Sequence, residues 1–255
     1  MSGRTHERLV ADQFGPRAAA YISSSVHARG PDLQRLADTV KARETANVLD
    51  LGCGGGHVSF TVAPHVGEVV AYDLSAEMLA AVAAEAAKRG ITNLLTQQGK
   101  VESLPFADGA FELVLSRFSA HHWQDWKAGL KEARRVLRAK GRAVFVDVVA
   151  SERTLFDTYL QALELLRDPS HVRDYSIGEW RAALTEAGFA PGTTITHRLR
   201  LDYASWVERM QTPEVYRRAI RALQTGAPGE VAQYFAIEED GSFLLDVMTI
   251  EATPA

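Results

Sequence analysis

The sequence predicts an α/β fold: a doubly wound, mostly parallel sheet between two layers of helices. Three observations predict it. Between residues 47 and 149, apolar runs alternate with helical segments, the rhythm of successive βαβ units. The first run, Asn47-Val-Leu-Asp-Leu, ends in a glycine cluster, Gly52-Cys-Gly-Gly-Gly56, and a helical stretch begins soon after. The second run, Val69-Val-Ala-Tyr-Asp73, ends in an acid. This pattern reads as a buried parallel strand, a loop that lets a ligand approach the backbone, and a carboxylate at the tip of the next strand.

The elements follow in order. Residues 8–43 read as mostly helical, interrupted at Pro16 and at Gly30-Pro31, with Leu33, Leu36, Ala37 and Val40 forming a one-sided apolar stripe. Then come strand 47–51, helix 57–64, strand 68–73, helix 75–89, strand 93–97, strand 111–116, helix 124–138 and strand 142–149. Gly90 stops one helix and Gly141 closes another. After residue 150 the rhythm changes. Helices at 151–166 and 178–187 flank the segment Asp168-Pro-Ser-His-Val-Arg-Asp-Tyr175, and strands follow at 193–201 and 242–252. Between those strands lie helical residues 203–223 and a segment at 226–235.

Composition narrows the function classes. The 255 residues, 46% hydrophobic and 24% charged, can bury a full core as one α/β domain spanning 1–255. A formal charge of −4 without a Lys/Arg cluster speaks against a nucleic-acid partner. No apolar run reaches the ~18 residues of a membrane span, and the polar start lacks a signal peptide's apolar stretch. Cys53 is the only cysteine, so no intrachain disulfide can form, and a cytoplasmic location is expected. Its place in a tight loop asks only for a small residue.

The glycine spacing selects the ligand. A dinucleotide fingerprint requires G-x-G-x-x-G, but the third glycine position is occupied by His57. The cluster instead reads G-x-G-x-G, with Asp50 two residues ahead. An acid there repels a pyrophosphate and suits a cation. A sulfonium-bearing aminoacyl nucleoside meets both requirements, since Asp73 can take the ribose hydroxyls. S-adenosylmethionine (SAM) is therefore favoured over NAD, and a nicotinamide-dependent oxidoreductase is the lesser alternative.

With these segments in view, the chain resembles a class I SAM-dependent methyltransferase of the small-molecule (type 11) branch related to the ubiquinone/menaquinone C-methyltransferases. Five motifs carry the resemblance in order. They are Val48-Leu-Asp-Leu-Gly-Cys-Gly-Gly-Gly56; Ala71-Tyr-Asp-Leu-Ser75 with Met78; Gln98-Gly-Lys-Val-Glu-Ser-Leu-Pro-Phe106; Phe111-Glu-Leu-Val-Leu-Ser-Arg-Phe-Ser-Ala-His-His-Trp123; and Arg135-Val-Leu-Arg-Ala-Lys-Gly141. The resemblance implies a seven-stranded sheet whose last two strands form an antiparallel hairpin at one edge. Here that hairpin is interrupted by about 40 residues, far more than a turn needs, and 203–238 is expected to cap the substrate pocket.

The resemblance also implies site roles. Asp50 and the backbone of Gly52 and Gly54 would hold the methionyl part, and Asp73 the ribose. Leu74 and Met78 would pack on adenine, with Val101 and Glu102 at its edge. Ser116 would approach the cofactor through its backbone, with Arg117 and Phe118 lining the far side. Tyr21 and His27, in the N-terminal segment beginning at Phe14, would close over the methionine end. Plainer readings exist for Met78, as a core residue of helix 75–89, and for Asp73, as a cap beside Ser75. Lys100 stands where many relatives carry an acid. It has no acceptor for the adenine amino group, so it is expected to face solvent.

Methyl transfer from a sulfonium needs placement of a nucleophile and exclusion of water, and a base only where the nucleophile carries a proton. His121 and His122, the chain's only adjacent histidine pair, are the candidates for that base. With an ordinary pKa near ~6.5, either could deprotonate a phenol, enol or amine. Asp147 would face the substrate side, while His171, Tyr175, Trp180, Trp206 and Arg209 belong to the half that forms the cap. No metal ligand set is expected. The function expected is methylation of a small apolar or aromatic metabolite at carbon or oxygen, the alternative being a non-catalytic SAM-binding protein.

Overall fold

The computed structural model describes residues 3, 5–18, 22, 30–41 and 43–255. Helix α1 (His6–Phe14) and α2 (Pro31–Val40) precede β1 (Arg43–Leu51), α3 (His57–Val62), β2 (Val66–Asp73), α4 (Ala76–Lys88), β3 (Leu94–Gln98) and β4 (Phe111–Arg117). Then follow α5 (Trp126–Val136), β5 (Leu137–Val149), α6 (Thr154–Arg167), α7 (Ile177–Glu186), β6 (Phe189–Leu201), three short helices and β7 (Phe243–Pro254). The strands form one sheet in the order β3-β2-β1-β4-β5-β7-β6. The first five are parallel, and β7 runs antiparallel to both β5 and β6. The predicted mixed sheet is the one observed.

Alternation along the strands explains the double winding. Leu49 and Leu51, Val114 and Phe145 join a core with Trp126 and Leu130 of α5 and Trp180 and Leu184 of α7. Their strand neighbours Val48, Leu113, Leu115, Val144 and Val146 join a second core with Leu33, Leu36 and Val40 of α2 and Val58 and Val62 of α3. Successive side chains of a strand point to opposite faces, so both faces must be covered. Each fully buried Leu or Val contributes roughly 1.5–3 kcal/mol.

The crossover strands β1 and β4 are neighbours although β2 and β3 intervene in sequence, with Val48 beside Leu113 and Asp50 beside Leu115. At this switch in strand order the chain leaves the sheet in opposite directions, and a crevice opens at the carboxyl ends.

Three local readings are corrected. The stretch 203–223 is two helices, α8 (Tyr203–Arg209) and α9 (Glu214–Thr225). Gln211 has φ +51° and Pro213 caps α9, which breaks the run. Helix α10 (Gly229–Phe235) completes the segment. The helix expected to reach 138 ends at Val136, and Gly141 lies inside β5 instead of closing a helix. There a Cβ would sit 2.9 Å from the Glu112 carbonyl oxygen, so the position serves strand packing. Finally, β6 begins at Phe189 and not at 193.

Helices α8–α10 have a core of their own with α6, built on Phe156, Leu160, Trp206, Ile220, Val231 and Phe235 and anchored on Phe243 and Leu245 of β7. Among the described residues, no helix is long and apolar enough to cross a membrane.

Candidate active site

The glycine turn follows from backbone sterics. Gly52, Gly54 and Gly56 have φ of +72°, +49° and +74°, a region costly for residues bearing a Cβ. At Gly52 a Cβ would lie 1.8 Å from Ser119 Oγ and 2.7 Å from its Cβ. At Gly54 the same direction is open, and the residue lines a cleft. The turn is pinned from the next strand: the Gly52 and Cys53 amides donate to the Tyr72 carbonyl at 2.8 and 3.0 Å.

Asp73 ties the turn to α4. Its Oδ2 accepts from the Gly54 amide and its Oδ1 from the Ser75 amide, both at 2.9 Å. Burial pushes this carboxyl up while those backbone donors hold it down. Ser75 itself caps α4 by accepting from the Met78 amide at 3.2 Å. Asp73 therefore stands at the cleft wall and beside the helix cap at once.

Asp50 is placed differently from the direct contact expected of it. It is 1% exposed and lies behind the turn, outside the residues lining the cleft. Ser59 of α3 donates to Oδ2 from its amide at 3.0 Å and its hydroxyl at 2.6 Å, and Oδ1 is buried without a hydrogen-bond partner. Burial raises its pKa to about 7 against those two bonds. Ser116, 2% exposed, is likewise beneath the wall and not in it.

The cleft encloses about 1020 Å³ including its open mouth, a fair size for a nucleoside cofactor. Leu74, Met78, Val101, Glu102, Arg117 and Phe118 are among the residues that line it. Glu102 Oε1 accepts from the Asp125 amide at 3.2 Å, which fixes the loop beside it. Arg117 forms a buried ion pair with Asp32 of α2. Helix α1 contributes Glu7, Val10 and Phe14 to the lining. Lys100, expected to face solvent, is half exposed but lines the cleft, and its Nζ meets Glu7 Oε1 at 2.7 Å and so joins the loop after β3 to α1. Tyr21 and His27 lie outside the described residues.

Phe14, Phe118 and His122 line a second chamber as well, about 630 Å³ with its opening to solvent counted. Its apolar side comprises Val148 of β5, Leu199 and Leu201 of β6, Leu245 of β7 and Trp206 of α8. His121, Glu164, Arg167, Asp174 and Arg209 supply the rest. Of the other residues assigned to the capping half, Tyr175 stacks on Trp126 at 3.7 Å, and Trp180 is core at 1% exposure. His171 is held by Gln161 Oε1 at 3.0 Å, and burial beside the other two histidines depresses its pKa to about 2.

The histidine pair does not titrate as free histidines do. His121 Nδ1 donates to Asp147 Oδ1 at 2.6 Å. Burial opposes its charge, but the Asp147 charge and hydrogen bond outweigh it and lift the pKa to about 9. His122, 4.3 Å away between ring centroids, is pushed down to about 4 by burial and by that imidazolium. Its Nδ1 lies 3.1 Å from the Ser170 carbonyl oxygen, which can only accept, so we assign the proton to Nδ1 and the lone pair to Nε2. Asp168 Oδ2 lies 3.9 Å from that nitrogen. Two adjacent histidines are thus split into one cation and one neutral ring.

His121, Asp147 and Asp174 also offer donor atoms within 4.8 Å of one another, among the described residues. The 2.6 Å contact makes His121 and Asp147 a hydrogen-bonded pair.

Comparison with known proteins agrees with this geometry. Residues 49–145, from β1 to β5, match the methyltransferase-domain family. The chain is 47% identical over 204 residues to the Escherichia coli protein YafE, covering 80% of this chain and 99% of that one. The crystal structure of YcgJ from Bacillus subtilis superposes with a TM-score of 0.84 at 33% identity, covering 88% of this chain and 98% of that one.

The chain belongs to the class I SAM-dependent methyltransferases.

A more distant relative of this methyltransferase is the ubiquinone/menaquinone biosynthesis C-methyltransferase UbiE of Rhizobium meliloti. The two are 30% identical over 164 residues, covering 60% of this chain and 64% of that one. The cofactor is SAM, and the cleft fits it in two respects. The glycine turn leaves open space at Gly54 where a side chain would stand, and a carboxylate waits at the strand tip. When bound, SAM supplies an electrophilic methyl group on a sulfonium.

Sequence reasoning missed several residues. Asp32, Asp168 and Ser170 meet Arg117 and His122 across long sequence separations, whereas Ser59, Ser119 and Glu164 have partners within ten residues. Only the charged residues inside otherwise apolar helices, such as Glu164 in α6, gave any local signal.

Proposed function

We propose that this methyltransferase acts on a small metabolite with an apolar or aromatic body, at a carbon or oxygen acceptor, with 1–255 as one domain and 203–238 as its cap. The observation that carries the reading is His122, a neutral ring shared by the cofactor cleft and the second chamber. An acceptor in the chamber would lie beside its Nε2, which takes the proton of an acidic hydroxyl or enol as the bond to methyl forms. Asp168 is near enough to favour the imidazolium that results. His121, already cationic, stabilises the oxyanion by its charge and by its Nε2–H.

Asp73 retains the ribose role, Leu74 and Met78 the adenine, and Val101 and Glu102 its edge. Gly52 and Gly54 present backbone to the methionyl part, where Arg117 and Phe118 close the wall. Asp50 and Ser116 act through the loop they support. The apolar wall of Val148, Leu199, Leu201 and Leu245 suits an apolar substrate body, and the relation to UbiE supports a quinone-like or enolic acceptor.

The test is His122→Gln, with cofactor binding and turnover measured on phenols, quinols and enols. Turnover at neutral pH falls at least tenfold while S-adenosylhomocysteine still binds. A smaller loss refutes the base role.

A further inference from the structure

We propose that the substrate is a vicinal diol of the catechol or enediol class, and that Asp174 is the specificity-determining residue for its second hydroxyl. That hydroxyl sits on the carbon next to the one whose hydroxyl His122 deprotonates. The inference rests on the second chamber being the substrate site.

Asp174 lines the chamber and is 1% exposed. Among the described residues, its Oδ2 has no hydrogen-bond partner. A buried polar atom left unpaired is costly, and native structures rarely keep one without a reason. His171 Nε2 stands 3.8 Å from that oxygen, beyond hydrogen-bond reach, and donates instead to Gln161 Oε1 at 3.0 Å. The backbone beneath the side chain is fixed. Gln161 Oε1 accepts from the Asp174 amide at 3.1 Å, and its Nε2 donates to the Asp174 carbonyl at 2.8 Å. The same Nε2 donates to Asp157 Oδ1 at 2.9 Å, which holds Gln161 on α6. A carboxyl held this firmly and still short of a partner is preorganised for one that enters the chamber.

Position says what that partner is. One carboxyl oxygen of Asp174 lies within 4.8 Å of a His121 ring nitrogen and of an Asp147 oxygen. His121 and Asp147 close on each other at 2.6 Å, so Asp174 is the member of the three whose partner must come from elsewhere. The oxygen that His121 stabilises and the group that Asp174 binds are therefore neighbours in the substrate, and oxygens on adjacent carbons meet that demand. A hydroxyl suits the carboxyl in either protonation state, since it both donates and accepts. The apolar side of the same chamber, Val148, Leu199, Leu201 and Leu245, takes the rest of the molecule.

The experiment is calorimetric titration, under argon, of the full chain saturated with S-adenosylhomocysteine. The probes are 4-tert-butylcatechol, 5-tert-butylresorcinol and 4-tert-butylphenol, which share an apolar body and differ in the presence and place of a second hydroxyl. The catechol is expected to bind at least tenfold more tightly than the other two, because a site built to pair a hydroxyl rejects analogues that lack it. Asp174→Ala is expected to erase that difference. Asp174→Asn, which can still pair a hydroxyl, is expected to keep part of it.

Equal or tighter binding of the resorcinol or the phenol overturns the proposal. So does a preference for the catechol that is unchanged in Asp174→Ala. If Asp174→Ala does not fold, the wild-type ranking alone decides. Failure of all three probes to bind at millimolar concentration strikes the reading of the chamber as substrate site, and this inference with it. So does binding that survives Val148→Phe, which fills the chamber. Binding that Val148→Phe abolishes, but without preference for the catechol, strikes only this inference.

Discussion

Replacing Gly52 by alanine tests how the glycine turn and the loop after β4 depend on each other. Gly52 sits at φ +72°, and holding a residue with a Cβ in a disfavoured region costs of order 1–3 kcal/mol. The new Cβ would also lie 2.7 Å from Ser119 Cβ, too close for a hydroxyl rotation to relieve, so the Ser119 backbone must move. Ser119 Oγ accepts from Trp123 Nε1 at 3.0 Å, and Trp123 is 4% exposed. Leaving that indole without its acceptor costs about 1–3 kcal/mol. The two effects share one displacement and do not add fully, giving about 2–4 kcal/mol. For a chain of this size that is a fall in Tm of about 5–15 °C. Thermal unfolding measures the first consequence, and titration with S-adenosylhomocysteine measures the second, a loss of affinity as the wall moves. An alanine variant with wild-type Tm and affinity would refute the reasoning.

Other substitutions probe the buried charges and the chamber. Asp50 has a folded pKa raised to about 7, so its contribution is present below the unfolded value near ~3.9 and is lost as pH rises through about 7. Asp50→Asn keeps an acceptor for Ser59. In melts from pH 4 to 8 it flattens that slope and stabilises the free protein at pH 8 by roughly 2–4 kcal/mol; a slope unchanged in the variant contradicts the assignment. The His121–Asp147 pair follows the same sign, because the histidine pKa is raised to about 9. Its stabilisation is complete below about 6.5 and fades as pH rises through about 9. Asp147→Asn abolishes that fall, and NMR titration of the His121 ring should show its pKa drop. Val148→Phe fills part of the second chamber, so turnover is lost while affinity for S-adenosylhomocysteine stays. Retained turnover would mean substrate binds elsewhere.

Much of the fold was legible because parallel strands buried on both faces must be apolar throughout. Leu49 and Leu51 face one core and Val48 the other, and a run such as Val-Leu-Asp-Leu announces this locally. The glycine turn was equally legible, since its demand for positive φ leaves few other residues to choose from. What the sequence hid depends on long-range pairing. The segment from Asp168 to Tyr175 carries no periodic pattern, yet the Val172 and Arg173 amides both donate to the His121 carbonyl, at 2.8 and 3.2 Å. That clamp places Ser170 and Asp168 against His122, and nothing in local periodicity encodes it.

The pKa values of the histidine pair were hidden for the same reason. Asp147 is separated from His121 by 26 positions, and its charge turns an ordinary histidine into a resident cation. Asp50 was expected to contact the cofactor directly, and its burial against Ser59 nine positions later was not legible in the motif. The division of 203–223 into two helices was signalled by Pro213, which cannot continue a helix, and Gln211 at φ +51° completes the break.

The central claim is that the cleft between the glycine turn and Asp73 holds SAM. Calorimetric titration with SAM, S-adenosylhomocysteine and NAD tests it most directly, in the wild type and in Asp73→Ala. Both sulfur ligands are expected to bind at micromolar concentration in the wild type and neither in the variant, with no binding of NAD. No binding of either sulfur ligand, or binding of NAD alone, would contradict it.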